Sequence, residues 1–289
     1  MKFLKDKQTR HDFVTYAMCI VAFAIVFFMQ SNHMIPRMIA GQLVPITAYI
    51  VMAISLNLVV GIAGDLSLGH AGFMSVGAYT GIVTAVALES AVPSDPVRLI
   101  ISIVVGAVAA AIMGFLIGIP VLRLSGDYLA IVTLAFGEII KNVMQVLYIG
   151  VDEHGLHVST SEAGLLLSEN GTAIVKGPMG AVGVTKLASF TAGFILVLIT
   201  LVIVQNLVRS RAGRAIQALR DNRIAAESIG ISATKYKLMA FVTSAALAGA
   251  AGALYGLNYS STLASKFDFN TSILVLVFVV LGGLGSIRG

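Results

Sequence analysis

The stretch from Gly213 to Gly256, "GRAIQALRDNRIAAESIGISATKYKLMAFVTSAALAGAAGALYG", changes character along its length. Its first part is rich in charge, whereas its last part, Ser244–Gly256, consists almost entirely of small apolar residues. Small side chains let helix backbones approach closely. Such packing favours helix association in lipid, where the hydrophobic effect does not drive helices together. The stretch therefore predicts a charged loop followed by a transmembrane helix that is buried among other helices.

The composition extends this prediction to the whole chain. Of its 289 residues, 57% are hydrophobic and 11% are charged, and the mean hydropathy is +0.94. Soluble domains carry about 25% charged residues, so we predict an all-α, polytopic membrane helix bundle. Apolar runs long enough to cross a bilayer predict about eight spans in a single transmembrane domain, 1–289: 13–30, 41–62, 71–88, 98–119, 128–149, 188–207, 238–258 and 271–287. The short segment "AGDLSLGH" between the second and third runs indicates that one of them could be broken or re-entrant.

Charged residues predict the orientation of these spans. The 208–237 loop holds seven basic and two acidic residues, whereas the 150–187 loop holds two basic and four acidic residues. Because loops on the cytoplasmic side carry an excess of Lys and Arg, we expect the N-terminus and the 208–237 loop to be cytoplasmic and the 150–187 loop to be extracytoplasmic. The net charge of +5 then reflects topology and does not indicate a nucleic-acid partner.

The sequence contains no signature of covalent chemistry. It has no G-x-x-x-x-G-K-[ST] phosphate-binding loop, and its single Cys19 lies in an apolar run. Glu153, His154 and His157 match no helical metal motif, so a solvated loop is favoured there. We therefore predict a transport protein, not an enzyme, with no metal site and no cofactor of its own.

Polar residues inside or at the edges of the spans are candidates for a translocation path, because such groups are costly at membrane depth. Two of them have structural alternatives. Glu138 and Lys141 are three residues apart on one helix and can neutralise each other, while His70 lies at a span boundary and can bond a helix end. The candidates are Asn57, Ser67, His70, Thr133, Glu138, Asn142 and Thr243.

The charged loop is predicted to form two short helical pieces, Gly213–Leu219 and Asn222–Ile229. Asp221 is placed to cap the second piece, and Gly230 is placed to stop it in the left-handed conformation. Such a pair could lie on the membrane surface as a lipid anchor. However, the small side chains of "RIAAESIG" suit a groove in a partner protein better than they suit insertion into lipid.

Three blocks of the sequence resemble, in order and spacing, the LivM-type permease subunits of bacterial ABC transporters for branched-chain amino acids. They are "SLNLVVGIAGDLSLGHAGFMSVGAYT", "GDYLAIVTLAFGEIIK" and the stretch quoted first, and the likeness runs from about Leu43 to Gly289. The resemblance implies an ABC importer permease in the bacterial inner membrane, in contact with lipid. It also implies four partners: a second, LivH-like permease, two ATPase subunits that bind ATP and Mg, and a substrate-binding protein outside.

The resemblance further implies that a coupling helix in the cytoplasmic loop docks on an ATPase subunit. The matching positions are Gly213, Arg214, Ala215, Arg220, Asp221, Ala225, Ala226 and Gly230. Relatives usually continue into further membrane sequence after the position of Gly289, so we expect a C-terminal part beyond it.

The expected substrates are Leu, Ile and Val, but permeases for urea or short-chain amides share the same blocks. Two alternatives come from other classes of membrane protein. One is a proton-coupled secondary transporter that uses Glu138 or His70, and the other is a small-residue channel.

Overall fold

Helices dominate the fold. The computed structural model describes residues 7–32, 34–124, 126–152, 155–165, 167 and 171–286, with side chains from residue 15 onward. A π-helical turn, Leu58–Ile62, extends the third helix. The α-helices are α1 (Lys7–Ser31), α2 (Arg37–Ala40), α3 (Leu43–Asn57), α4 (His70–Ala87), α5 (Asp95–Val121), α6 (Asp127–Val146), α7 (Phe190–Arg209), α8 (Arg211–Asp221), α9 (Arg223–Ser228), α10 (Ala233–Gly256) and α11 (Phe269–Gly282).

Six helical segments of the described chain are long and apolar enough to cross a membrane: Arg37–Ile62, Asp95–Val121, Asp127–Val146, Phe190–Arg209, Ala233–Gly256 and Ala264–Gly282. The chain is therefore a multi-pass membrane protein. The other two predicted runs, 13–30 and 71–88, are also helical, as α1 and α4. Thr15–Ser31 of α1 is a shorter apolar helix, and α4 is not among the six segments, so the count of eight stays a prediction.

Helix α10 is the centre of the bundle, and it packs against α3, α4 and α5. Glycines make this packing possible. A Cβ added to Gly77 on α4 would meet the backbone of Gly249 on α10, and one added to Gly252 would meet the backbone of Met74 and Ala78 on α4. The prediction that the Ser244–Gly256 helix is buried among its neighbours is confirmed, since Ser244, Ala248 and Ala251 are fully buried.

The chain also forms a small antiparallel sheet, which corrects the prediction of an all-α chain. Four of its strands follow α6, and the fifth follows α10. Its strands are β1 (Tyr148–Asp152), β2 (Gly155–Ser159), β3 (Thr172–Lys176), β4 (Ala181–Val182) and β5 (Ser261–Thr262), in the order β2-β1-β3-β4-β5. Because α6 ends at Val146, the predicted span 128–149 is too long at its C-terminal end. Strands β4 and β5, of two residues each, are too short for alternation of polar and apolar residues to reveal them. In β1 and β3 the two most buried residues are neighbours, so burial does not alternate there.

Candidate functional site

The 208–237 loop folds into two short helices, α8 and α9, each with a side chain that caps its first turn. Ser210 Oγ accepts a hydrogen bond from Gly213 N at 3.1 Å, and Asn222 Oδ1 accepts one from Ala225 N at 3.0 Å. The prediction of two helical pieces is confirmed, but the predicted cap was wrong by one residue. Asn222, which has the extended backbone of an N-cap, caps α9, whereas Asp221 is the last residue of α8.

Gly230 ends α9 as predicted. Its φ is +89°, which is the left-handed region that glycine favours. The amide of Gly230 donates to Glu227 O at 3.0 Å, and that of Ile231 donates to Ala226 O at 3.1 Å. This pair of bonds is a Schellman motif, which turns the chain sharply toward α10.

The two faces of the helix pair have different environments. Gly213, Ala215 and Ala226 are buried, and Ala226 packs in a small cluster with Leu219 and Ala233. The remaining predicted coupling residues are exposed: Arg214, Arg220, Asp221, Ala225 and Gly230. Two exposed apolar side chains of this region were not predicted as part of the site. Ile224 in α9 is 82% exposed, and Ile229 at its C-terminal end is 76% exposed. The signal was present as two isoleucines, five positions apart, in a segment that is otherwise small or polar.

A second set of polar residues lies in the interior, where α3, α4 and α10 meet. His70, which begins α4 and is 1% exposed, places its Nε2 atom 2.8 Å from Ser55 Oγ of α3. The Ser55 hydroxyl also lies 2.8 Å from Met52 O and donates its single proton there, so the Nε2–H of His70 is the donor to Ser55. Ser244 of α10 donates to Ser55 O at 2.5 Å. This cluster, Ser55, His70 and Ser244, is called the polar core below.

The irregular segment 63–69, which joins the π-helical turn to α4, passes beside the polar core. Asp65 and Ser67 are buried at 8% and 1% exposure, and Leu68 N donates to Thr133 Oγ1 of α6 at 3.1 Å. Irregular backbone of this kind is tolerated in a membrane protein only where it is buried in protein or lines a cavity. This break, residues 63–69, separates the second and third apolar runs and brings Ser67, His70 and Thr133 to one region. That one of the two runs is itself a broken or re-entrant helix stays a prediction.

The other predicted path residues lie elsewhere. Glu138 forms the expected ion pair with Lys141 and lines a small cavity with Asp268 and Ser272. Asn142 is exposed on α6, while the Thr243 hydroxyl bonds within its own helix, to Met239 O at 2.7 Å. Asn57 lies on the wall of an apolar cavity of about 540 Å³ between α1, α3, α7 and α11.

Asn57 also holds the C-terminal turn of the described chain, because its side-chain amide bonds Ser286 O at 2.7 Å and Gly285 N at 2.9 Å. In the 150–187 loop, His157 Nε2 lies 3.0 Å from Asp152 Oδ1. Glu153 and His154, which were weighed with His157 as metal ligands, lie outside the described residues.

The sequence matches the family described as "Branched-chain amino acid transport system / permease component" over residues 38–289. The chain belongs to this family. It is 37% identical to the high-affinity branched-chain amino acid transport system permease protein LivM of Salmonella typhimurium (strain LT2) and 36% identical to that of Escherichia coli (strain K12). Each alignment spans 260 residues, 82% of this chain and 57% of the relative.

A probable branched-chain amino acid transport permease protein LivM of Methanocaldococcus jannaschii is 25% identical over 220 residues, 70% of this chain and 56% of the relative. The chain thus spans somewhat more than half the length of these curated relatives. No solved structure matches it. The resemblance to LivM-type permeases is confirmed, and the matched relatives are named as transport permease components, not as enzymes.

Proposed function

We propose that this chain is the permease subunit of an ATP-driven ABC importer for the branched-chain amino acids Leu, Ile and Val. In this proposal it works with a second, LivH-like permease, two ATPase subunits that bind ATP and Mg, and a substrate-binding protein outside. It lies in a bacterial inner membrane with about eight spans and a cytoplasmic N-terminus. Family membership and the names of the relatives support the transport role and the substrate class.

The outward face of α9 is the observation that carries the coupling role. Ile224, at 82% exposure, and Ile229, at 76% exposure, flank the exposed small residue Ala225. Two exposed, bulky apolar side chains beside a small one are an arrangement that fits a groove in a partner protein. The proposed coupling surface therefore consists of Ile224, Ala225 and Ile229, and the exposed Arg214 and Asp221 of α8 are proposed as further contacts.

The buried members of the predicted set have a supporting role in this proposal. Ala226 packs against Leu219 of α8 and Ala233 of α10, so a push on α9 is passed to α8 and α10 as a rigid unit. ATP-driven closure of the ATPases would move this unit, and rocking of the spans would then switch access from one side of the membrane to the other.

Uptake measurements separate this proposal from its alternatives. In cells or vesicles that contain the assembled transporter, uptake of labelled leucine should survive a protonophore and should collapse when ATP is depleted. The reverse result would indicate a proton-coupled carrier. Competition by unlabelled leucine, urea and short-chain amides then distinguishes the three substrate classes within the family.

A matched pair of variants tests the coupling surface. Ile224→Glu places a charge in the middle of the proposed apolar contact, and it should abolish ATP-driven uptake while the permease remains in the membrane. Thr234→Glu introduces the same charge at an exposed position outside α9 and should transport normally. Equal uptake by both variants would show that α9 is not the docking surface.

A further inference from the structure

Two basic side chains, one in α8 and one in α10, contact the chain at the break between α3 and α4. Arg220, in the last turn of α8, donates from Nη1 to the carbonyl oxygen of Gly61 in the π-helical turn. Lys237 of α10 places Nζ 2.5 Å from Asp65 Oδ1, and the two side chains are only 14% and 9% exposed. Both contacts join parts of the chain that are more than 150 residues apart, since the separations are 159 and 172 residues.

The backbone of the break is shaped around the Arg220 side chain. Gly64 has φ of +74°, and a Cβ at this position would lie 2.8 Å from Arg220 Cγ. On the other side, a Cβ on Gly285 would lie 3.0 Å from Gly61 O and 3.2 Å from Arg220 Nη1. The π-helical turn, α8 and the C-terminal turn therefore meet at Gly61, where no larger residue fits between them. Single π-helical turns occur frequently at functional sites.

Three other basic residues of the same loop make local contacts. Arg223 Nε pairs with Glu227 Oε1 at 3.0 Å within α9, and Lys235 Nζ lies 5.8 Å from the ring of its neighbour Tyr236. Arg214 Nη1 donates to Arg209 O at 3.1 Å. The reach of Arg220 and Lys237 to the break thus distinguishes them from these neighbours, although Arg220 was predicted from the family motif only as a coupling residue.

The segment that these two side chains hold leads into the polar core. Within the described chain, Ser67 Oγ and His70 Nδ1 are buried and make no hydrogen bond. A buried polar atom without a partner costs free energy, and such atoms in native proteins mark strained or functional positions. A displacement of residues 63–69 would change the surroundings of both groups, because Ser67 lies within the segment and His70 follows it directly.

We propose that Arg220 and Lys237 are positioning residues that transmit movement of α8 and α9 to the 63–69 segment and so to the polar core. This inference rests on the proposed ATP-driven function. Separating Lys237 from Asp65 would leave an uncompensated charge in a buried position, which is costly. We therefore expect α10 and the 63–69 segment to move together. Arg220 adds a second, directional attachment at a point about one helical turn before Asp65.

The test uses the complete transporter reconstituted in proteoliposomes, with ATP hydrolysis and leucine uptake measured on the same samples. Lys237→Met should lower uptake per ATP hydrolysed by about tenfold, while complex recovery and ATPase rate stay close to wild type. Arg220→Met should lower the same ratio. Lys235→Met, which removes an exposed lysine two residues away, should leave the ratio unchanged. The exchange of partners in Asp65→Lys with Lys237→Asp should restore at least half of the wild-type ratio.

Hydrogen exchange provides a readout that does not depend on transport. Loss of the Lys237 contact should accelerate amide exchange in residues 63–69 by about tenfold, and Lys235→Met should leave it unchanged. Should Lys237→Met fail to accumulate, Asp65→Asn removes the same ion pair from its other side, and the comparison is made with that variant.

The outcomes separate the two proposals. A wild-type complex without ATP-driven uptake overturns the proposed function and this inference with it. A wild-type complex that transports, with variants at the wild-type ratio, overturns the inference alone. An equal fall in ATPase rate and uptake in the variants would indicate a structural role and would also overturn the inference. An exchanged pair that transports no better than the single variants would overturn it as well.

Discussion

The triple contact of α4, α5 and α10 leads to a quantitative prediction about stability. Gly77, Gly106 and Gly249, one from each helix, are all buried where the helices meet. A Cβ on Gly249 would lie 2.3 Å from Ala110 Cβ and 2.6 Å from the carbonyl oxygen of Gly106, whereas ordinary contact begins at 3.4 Å. A side chain at Gly249 therefore needs about 1 Å more space, and α5, which carries both atoms, must move.

Gly249→Val is expected to destabilise the bundle by about 1–3 kcal/mol, the usual cost of overpacking a close-packed interior. The higher helix propensity of valine returns only about 0.3 kcal/mol. In chains of this size each kcal/mol shifts Tm by about 2–4 °C, so Tm should fall by about 2–12 °C. The Tm of Gly249→Ala should fall by less, because alanine adds only the Cβ atom.

The control is Gly41→Val. Gly41 is exposed, its φ is −67°, and the nearest atoms to an added Cβ are at 3.6 and 3.7 Å. Its Tm should stay within about 1 °C of wild type, as for most surface substitutions. The assay is thermal unfolding of the purified protein in one detergent at one scan rate. An unchanged Tm for Gly249→Val, or an equal fall for Gly41→Val, would refute the reasoning.

Three further predictions concern single hydrogen bonds and one backbone conformation. Ser55→Ala removes the acceptor of the buried His70 Nε2–H, so it should cost about 1–3 kcal/mol and lower Tm, and an unchanged Tm would contradict the assigned bond. In Gly230→Ala the added Cβ meets no atom within 4 Å, but the residue must adopt φ of +89°. This substitution should lower the free energy of unfolding by about 1–2 kcal/mol and accelerate amide hydrogen exchange at the end of α9. Gly230→Asn should cost less. Asn57→Ala removes both bonds to the C-terminal turn, so amide exchange at Gly285 should accelerate by about tenfold, whereas a rate equal to wild type would count against this role.

Helix positions were largely predictable, because a membrane span is encoded in a contiguous run of apolar residues. The small-residue run Ser244–Gly256 predicted a buried helix, and α10 is that helix. The segment "AGDLSLGH" was predicted to separate two apolar runs, and residues 63–69 are an irregular connection between two helices. Strands β4 and β5, of two residues each, were not predictable, since Ala181 pairs with Thr262 across the fold.

The candidate site was predictable only in part. Family motifs indicated the loop, and capping chemistry indicated its two helices, but the burial of Ala226 and the exposure of Ile224 depend on how α9 packs against α8 and α10. In the interior, polarity alone selected Ser67, His70 and Thr133, which lie together, but also Asn142 and Thr243, which do not.

By itself, the sequence determined that this is a multi-pass membrane protein of the branched-chain amino acid permease family with a helical, charged loop, because apolar length, charge placement and caps are properties of neighbouring residues. Only the tertiary structure decided which of the loop's basic residues reach inward. Arg220 meets Gly61, and Lys237 meets Asp65, across 159 and 172 residues. Contacts at such separations depend on how the helices pack, and no local pattern of residues specifies that packing.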